Sequence, residues 1–204
     1  MIAKSSAKTI YLQTKEKKEN ILNQQFNPKS PNEVWVSDVT YFKLKGKLFY
    51  ICVILDLYSR KIISLTVSKR NSTWLTKSTL ATAYKTRTPD VSKLIFHSDQ
   101  GSNYTANAFI EYAHSLGIKQ SFSRKAMPYD NSVCESFFNI LKREELYRTN
   151  YRSEKNFKNS LTKYVDFYNQ KRPHSFLNYR TPNKAEDEFY CCLRRKEVYL
   201  IEHK

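Results

Sequence analysis

From Val34 onward the hydrophobic positions are strongly β-rich, broken by the polar Ser37, Asp38 and Thr40, and predict a strand. In Val34-Trp35-Val36-Ser37-Asp38-Val39-Thr40-Tyr41-Phe42, the residues Trp35, Ser37, Val39 and Tyr41 share one face, and Val34, Val36, Asp38 and Thr40 share the other. Lys45-Gly46-Lys47 predicts a turn into a second strand, Leu48 to Leu55. After Asp56-Leu57-Tyr58-Ser59-Arg60 a third strand runs from Lys61 to Val67. Connections this short predict an antiparallel meander. Ser72 to about Arg87 has helical spacing: Ser72 or Asn71 is the cap, Leu75, Thr79, Leu80 and Ala83 face inward, and Thr88-Pro89 is the stop. Lys93 to His97 reads as a short buried strand. A helix from about Ala106 to Leu116 ends at Gly117, and Ile118 to Phe122 is a fifth strand. Past Met127-Pro128-Tyr129-Asp130 the helical period runs to roughly Arg148, with Asp130 as cap, and it resumes from Ser153 to Lys171.

The order is therefore βββαβαβαα. Three antiparallel strands extended by strands reached through helices make an α/β architecture of the ribonuclease H type, a mixed five-stranded sheet with helices on both faces. Residues 1–30, with six lysines and the turn-like Asn27-Pro28-Lys29-Ser30-Pro31, read as a basic arm or linker. Residues 31–150 form the core and 151–204 a helical extension. In open α/β sheets, sites gather where loops leave the carboxyl ends of strands.

Charge narrows the function. Thirty-five Lys and Arg against nineteen Asp and Glu leave +16 over 204 residues, which points to a polyanionic partner, nucleic acid first. The longest apolar run, Leu48 to Leu55, is far short of the roughly 20 residues of a membrane span. No secretory signal pattern opens the chain and the four cysteines lack paired spacing, so a reducing cytoplasm fits. The three glycines (Gly46, Gly101, Gly117) cannot build a dinucleotide fingerprint or a phosphate loop. The four histidines lack zinc-site spacing. A bound metal should therefore have carboxylate ligands.

Three carboxylates stand out. Asp38 sits inside the first strand among apolar neighbours; the alternative is an edge charge facing water. Asp99 follows a buried strand directly, where the alternative is a turn former. Glu135 lies on a helix that buries Cys134, Phe137, Phe138 and Leu141, with Asn139 and Lys142 on its own stripe and no basic residue at i+3 or i+4. Acids from two strands and a helix can converge at one sheet edge and hold two Mg²⁺ ions about 3.5–4 Å apart, poised for in-line displacement at phosphorus. His97 reads as a satisfied strand-end histidine, and Asp56 as a turn former paired with Arg60. Lys142 to Arg172 carries nine Lys and Arg against four Asp and Glu, which favours a DNA-backbone surface over a merely solvated face. Arg124, Lys125, Asn139, Lys142, Arg143, Lys171 and Arg172 are the candidate DNA contacts.

Thirty-five residues separate Asp99 from Glu135, and sixty separate Asp38 from Asp99. This spacing resembles the D,D-thirty-five-E signature of retroviral integrases and of insertion-sequence transposases of the IS-three family. The strings Trp35 to Tyr41, Leu55 to Arg60, His97 to Tyr104 and Asp130 to Phe138 resemble the blocks around that family's acids. Tyr168-Asn169-Gln170-Lys171-Arg172-Pro173-His174 with Thr181-Pro182 resembles its C-terminal signature. The resemblance implies catalysis by Asp38, Asp99 and Glu135 on two Mg²⁺ ions, with Mn²⁺ as substitute. It also implies hydrolysis at transposon ends followed by 3′-OH strand transfer into target DNA, a homo-oligomer on paired ends, and a basic contact to the transposon end at Lys142. Family members carry helix-turn-helix segments ahead of the core, for which residues 1–30 have no room. A separate helix-turn-helix protein from the same element is then an expected partner, and a non-catalytic DNA-binding or inhibitory fragment is the alternative function.

Overall fold

A computed structural model describes residues 18–124 and 127–202. Five strands form one sheet in the order β3-β2-β1-β4-β5: β1 (Val34–Leu44), β2 (Lys47–Asp56), β3 (Ile62–Ser68), β4 (Ile95–Ser98) and β5 (Lys119–Phe122). The β1–β2 and β2–β3 pairs are antiparallel, and the β1–β4 and β4–β5 pairs are parallel. The mixed sheet and its meander match the sequence expectation. The β1–β2 hairpin has a two-residue loop, Lys45-Gly46, with φ of 48° and 80°. That left-handed pair matches the strand twist, and glycine supplies the second position without strain.

Alternation along β1 divides the core between the two sheet faces. On one face Val34, Val36, Ile51, Val53 and Leu55 pack against α4 (Ser132–Leu141) and α5 (Glu154–Gln170), through Phe137, Phe138, Leu141, Phe157 and Leu161. On the other, Trp35, Ile54 and Phe96 meet α1 (Thr73–Arg87), the single turn α2 (Ser102–Thr105) and α3 (Asn107–Ser115), through Leu80, Ala83, Tyr104 and Phe109. Ser72 stands at the α1 N-cap and Thr88 ends the helix in a left-handed conformation, as the sequence indicates.

Several elements differ from the sequence reading. The helix expected from about Ala106 is there as Asn107–Ser115, but a single helical turn, Ser102–Thr105, precedes it, because the Gly101 carbonyl collects the Tyr104 and Thr105 amides. Asp130 does not cap α4. It lies in a 3₁₀ turn, Pro128–Asn131, and its carboxylate receives Asn20, Gln24 and Arg124. Beyond Leu141 the helix widens into a π turn, Lys142–Leu146, so regular α structure stops well before Arg148. A further helix, α6 (Pro182–Glu202), begins at the Thr181-Pro182 step, where proline suits a first helical position. Asp56 does form a turn, but its partners are the Asn32 amide and Ser59, and Arg60 stacks on Phe176 instead. Within the stretch read as an arm, Leu22 is buried and the Ile21 and Leu22 amides donate to Ser121 Oγ on β5. Residues 1–17 lie outside the described residues.

Helix α6 is tied to the end of α1 and to the turn before β3 by a buried carboxylate. Glu186 takes both Arg87 guanidinium nitrogens at 2.6 and 2.9 Å and Lys61 Nζ at 2.8 Å. Those cations hold the Glu186 carboxyl below its ordinary range against the opposing effect of burial. Glu186→Ala strands Arg87 half-buried without its counter-charge and should lower stability by about 3 kcal/mol, read from urea melts at neutral pH. A loss below about 0.5 kcal/mol would show that α6 is held by other contacts.

Candidate active site

The β1–β4 parallel pairing runs from Val34↔Ile95 to Ser37↔Ser98. Asp38 and Asp99 are the next residue on each strand, so the two acids leave neighbouring strands at one level, where strands stand about 4.8 Å apart. Asp38 and Asp99 are half-buried and Glu135, on the first turns of α4, is exposed. Desolvation pushes the Asp38 carboxyl up to about 7; the charges of Asp99 and Glu135 push the same way, while bonds from the Val39 amide and Asn131 oppose it. Asp38 thus feels both other acids. Burial pushes the Cys134 thiol well up and keeps it protonated, and the charges of Asp38, Asp99 and Glu135 act the same way. Among the described residues, no three His, Cys, Asp or Glu side chains stand close enough to form a closed metal-ligand set.

The surroundings hold the acids in place. The Asp99 carboxylate accepts the Gly101 amide at 3.0 Å, and a Cβ on Gly101 would come within 2.9 Å of Asp99 Oδ1, so a side chain there would displace the carboxylate. Tyr104 OH bonds Ser37 Oγ at 2.8 Å, and Ser37 Oγ donates to the Val53 carbonyl, also at 2.8 Å. This buried chain ties the segment after Asp99 to the residue before Asp38. Sequence reasoning missed Tyr104, although it ends the block beginning at His97. It also missed Asn131, whose buried Oδ1 has no protein partner. His97 is the satisfied strand-end residue expected: Nε2 donates to the Asp130 carbonyl and Nδ1 meets Ser121 Oγ, each at 2.9 Å. Burial lowers its pKa, keeping it neutral.

The basic candidates divide by their partners. Lys142 is half-buried at the start of the π turn and forms no ion pair among the described residues. Its one possible helical partner, Glu145, is taken by Tyr151 and Ser160. Arg143, Asn139 and Lys171 are exposed, with Arg143 only 3.8 Å from Glu144. Arg124 is bound to Asp130, whose carboxyl it holds well below the usual range. Arg172 is committed to Glu144 through two bonds of 2.8 and 2.9 Å. Lys125 lies outside the described residues.

Two integrase core domain models match, over residues 28–128 and 116–182. The transposase for insertion sequence element IS904 of Lactococcus lactis is 36% identical over 168 residues, covering 82% of this chain and 66% of that protein. This chain belongs to the integrase-core family of insertion-sequence transposases. The putative transposase InsK for IS150 of Escherichia coli K12 is 34% identical, over 84% of this chain and 60% of its own length. InsF for IS3A from the same strain is 30% identical, over 83% and 59%. The chain therefore spans 59–66% of the length of these relatives. Among solved structures, the HTLV-2 integrase catalytic core domain in complex with magnesium superposes with TM-score 0.60 at 20% identity, over 78% of this chain and 99% of that one. A simian T-cell lymphotropic virus intasome in complex with PP2A regulatory subunit B56 gamma gives 0.68 at 22% identity, over 78% and 56%. These likenesses establish the ribonuclease H-like fold.

The strain at Asp38 gives a test independent of catalysis. With its native pKa raised from 3.8 to about 7, the folded chain binds the extra proton between those values, so this group makes stability fall as pH rises through that window. Asp38→Asn should therefore match wild type near pH 4 and be more stable above pH 7 in chelator, by on the order of 1–3 kcal/mol after solvent screening. A pH-independent difference between the two would contradict the crowding of the acids.

Proposed function

We propose that this chain is the catalytic core of a DNA transposase. It hydrolyses phosphodiester bonds at the ends of a mobile element and transfers the freed 3′-OH to target DNA, working as a homo-oligomer on paired ends. The observation that carries the reading is the pair of acids on neighbouring parallel strands, with a third on α4 whose charge acts on Asp38, in a chain of +16 charge. The donor set fits a hard divalent cation. It is all oxygen, and a carboxyl destabilised by burial and by two like charges is one that a cation restores.

Asp38, Asp99 and Glu135 would hold two Mg²⁺ ions, or Mn²⁺ in their place. When bound, such a pair activates the attacking oxygen and stabilises the leaving 3′ oxygen. The protein's part is position. Tyr104 and Ser37 keep the two strand ends in register, and the Gly101 amide orients Asp99. Lys142 and Arg143, at the start of the π turn that follows α4, would face the path of a phosphate backbone.

Incubation with Mg²⁺ and duplexes bearing the terminal repeats that flank its own gene tests the reading. Wild type should cleave and join, Asp99→Asn should lose both by at least about a thousandfold with its fold intact, and Ca²⁺ should support DNA assembly without turnover, since its longer bonds do not hold the required geometry. Undiminished turnover by Asp99→Asn would refute the mechanism. Binding by wild type without cleavage in Mg²⁺ or Mn²⁺ would favour a non-catalytic fragment. Lys142→Ala should leave thermal stability nearly unchanged and reduce the log–log salt slope of end binding by about 1. An unaltered slope would make Lys142 an ordinary surface residue.

A further inference from the structure

The sheet register places a second surface at the acids' end of the molecule. β3 runs parallel to β1, since both are antiparallel to β2, and the pairs Asp38↔Val53 and Val53↔Leu65 carry the level of Asp38 across to Leu65. β3 ends at Ser68, three residues past that level, so α1 starts from the same end of the sheet as the loop that follows β4. The two are joined. Asn71 Oδ1 accepts from Asn103 Nδ2, and Thr76 Oγ1 reaches the Asn103 carbonyl at 3.5 Å. Asn103 is the fourth residue after Asp99.

At this junction the second residue of α1 is Trp74, with 66% of its surface exposed, whereas the chain's other tryptophan, Trp35, is fully buried. An indole left in water has apolar area to cover and a flat face to offer. Its setting is cationic. From Leu57 to Pro89 the sequence holds seven Lys and Arg and no Asp or Glu. Lys69 is paired with Glu154 and Arg87 with Glu186, but Arg70 and Lys77 form no ion pair among the described residues. Lys77 lies about 60° round α1 from Trp74, with its Nζ 5.0 Å from the centre of the Tyr112 ring on α3. A basic peptide is repelled by such a surface, and a second copy of a +16 chain brings mostly like charge to it. A phosphate backbone with stacked bases behind it supplies both complements.

Strand transfer brings two DNA segments to one set of acids. α4, which leads into Lys142 and Arg143, packs on the opposite face of the sheet from α1. We propose that the α4 side takes the element end and that the first turn of α1 takes the target duplex, with Trp74 inserted at a base step and Arg70 and Lys77 on the flanking phosphates. An apolar wedge of this kind partly unstacks one step and kinks the duplex. Target DNA is implied only by the transposase reading, on which this assignment rests.

The test uses the full chain in chelator, so that cleavage plays no part, and duplexes that lack the terminal repeats. Because Trp35 is buried, acrylamide quenching of the tryptophan emission reports on Trp74. Bound duplex should remove most of that quenching. A duplex with one mismatched step, already partly unstacked, should bind about tenfold tighter than a fully paired one. Trp74→Ala should abolish that preference and Trp74→Phe should keep part of it, neither moving the melting temperature, since the side chain is exposed. Lys142→Ala should leave the protection of Trp74 unchanged. Quenching unaltered by any duplex, or a mismatch preference that survives in Trp74→Ala, would overturn the proposal. So would protection by repeat-bearing duplexes only, or its loss in Lys142→Ala, either of which places Trp74 on the element end. Protection that grows with protein concentration in the absence of DNA would mark an interface between copies and overturn it equally. A chain that cleaves and joins ends yet leaves Trp74 unprotected defeats this assignment alone. One that protects Trp74 on duplex and never cleaves leaves the DNA surface standing and defeats the transposase reading.

Discussion

The structure turns on the parallel pairing of β1 with β4. Because Ser37 is paired with Ser98, the next residue on each strand is an aspartate, and the two carboxylates emerge side by side where water is already partly excluded. Folding gains nothing from that juxtaposition. The burial and repulsion that lift Asp38 to about 7 work against the native state at neutral pH. The stability that permits it comes from elsewhere: two apolar layers on either face of the sheet, and the Ser37–Tyr104–Val53 bonds that fix the strand ends from behind.

That arrangement explains why the site is built from rigid elements with glycine at only one point. Asp38 is inside a strand paired on both sides, Asp99 is pinned by an amide two residues on, and Glu135 rides on a helix whose buried stripe locks it to the same face of the sheet. A site that must hold like charges near one another depends on such support, because loose acids would swing apart into water. The charges of Asp99 and Glu135 both act on Asp38.

Much of this was legible in the chain. The β-rich run from Val34 to Phe42 marked the strand, and the period of two along any strand assigned its residues to faces. The acids were legible because Asp38 interrupts that pattern, Asp99 follows an apolar run, and Glu135 lacks a helical ion partner. What stayed hidden depends on contacts distant in sequence. Asp130 has the spacing of a helix cap, yet residues 20, 24 and 124 claim it, and no local pattern reports that. Arg172 reads as free positive charge until folding brings Glu144 to it. The π turn at Lys142 leaves no compositional trace, and α6 is too evenly charged along its length for an apolar stripe to announce it. Tyr104 was quoted within a motif but carried no visible role until Ser37 was seen behind it.

The central claim is that Asp38, Asp99 and Glu135 form one cation site. Anomalous diffraction from crystals soaked in Mn²⁺ tests it most directly. The account predicts manganese bound by all three carboxylates, with Glu135 drawn toward the strand pair. Manganese found only elsewhere on the molecule, or Glu135 left facing solvent while Asp38 and Asp99 are ligated, would contradict it.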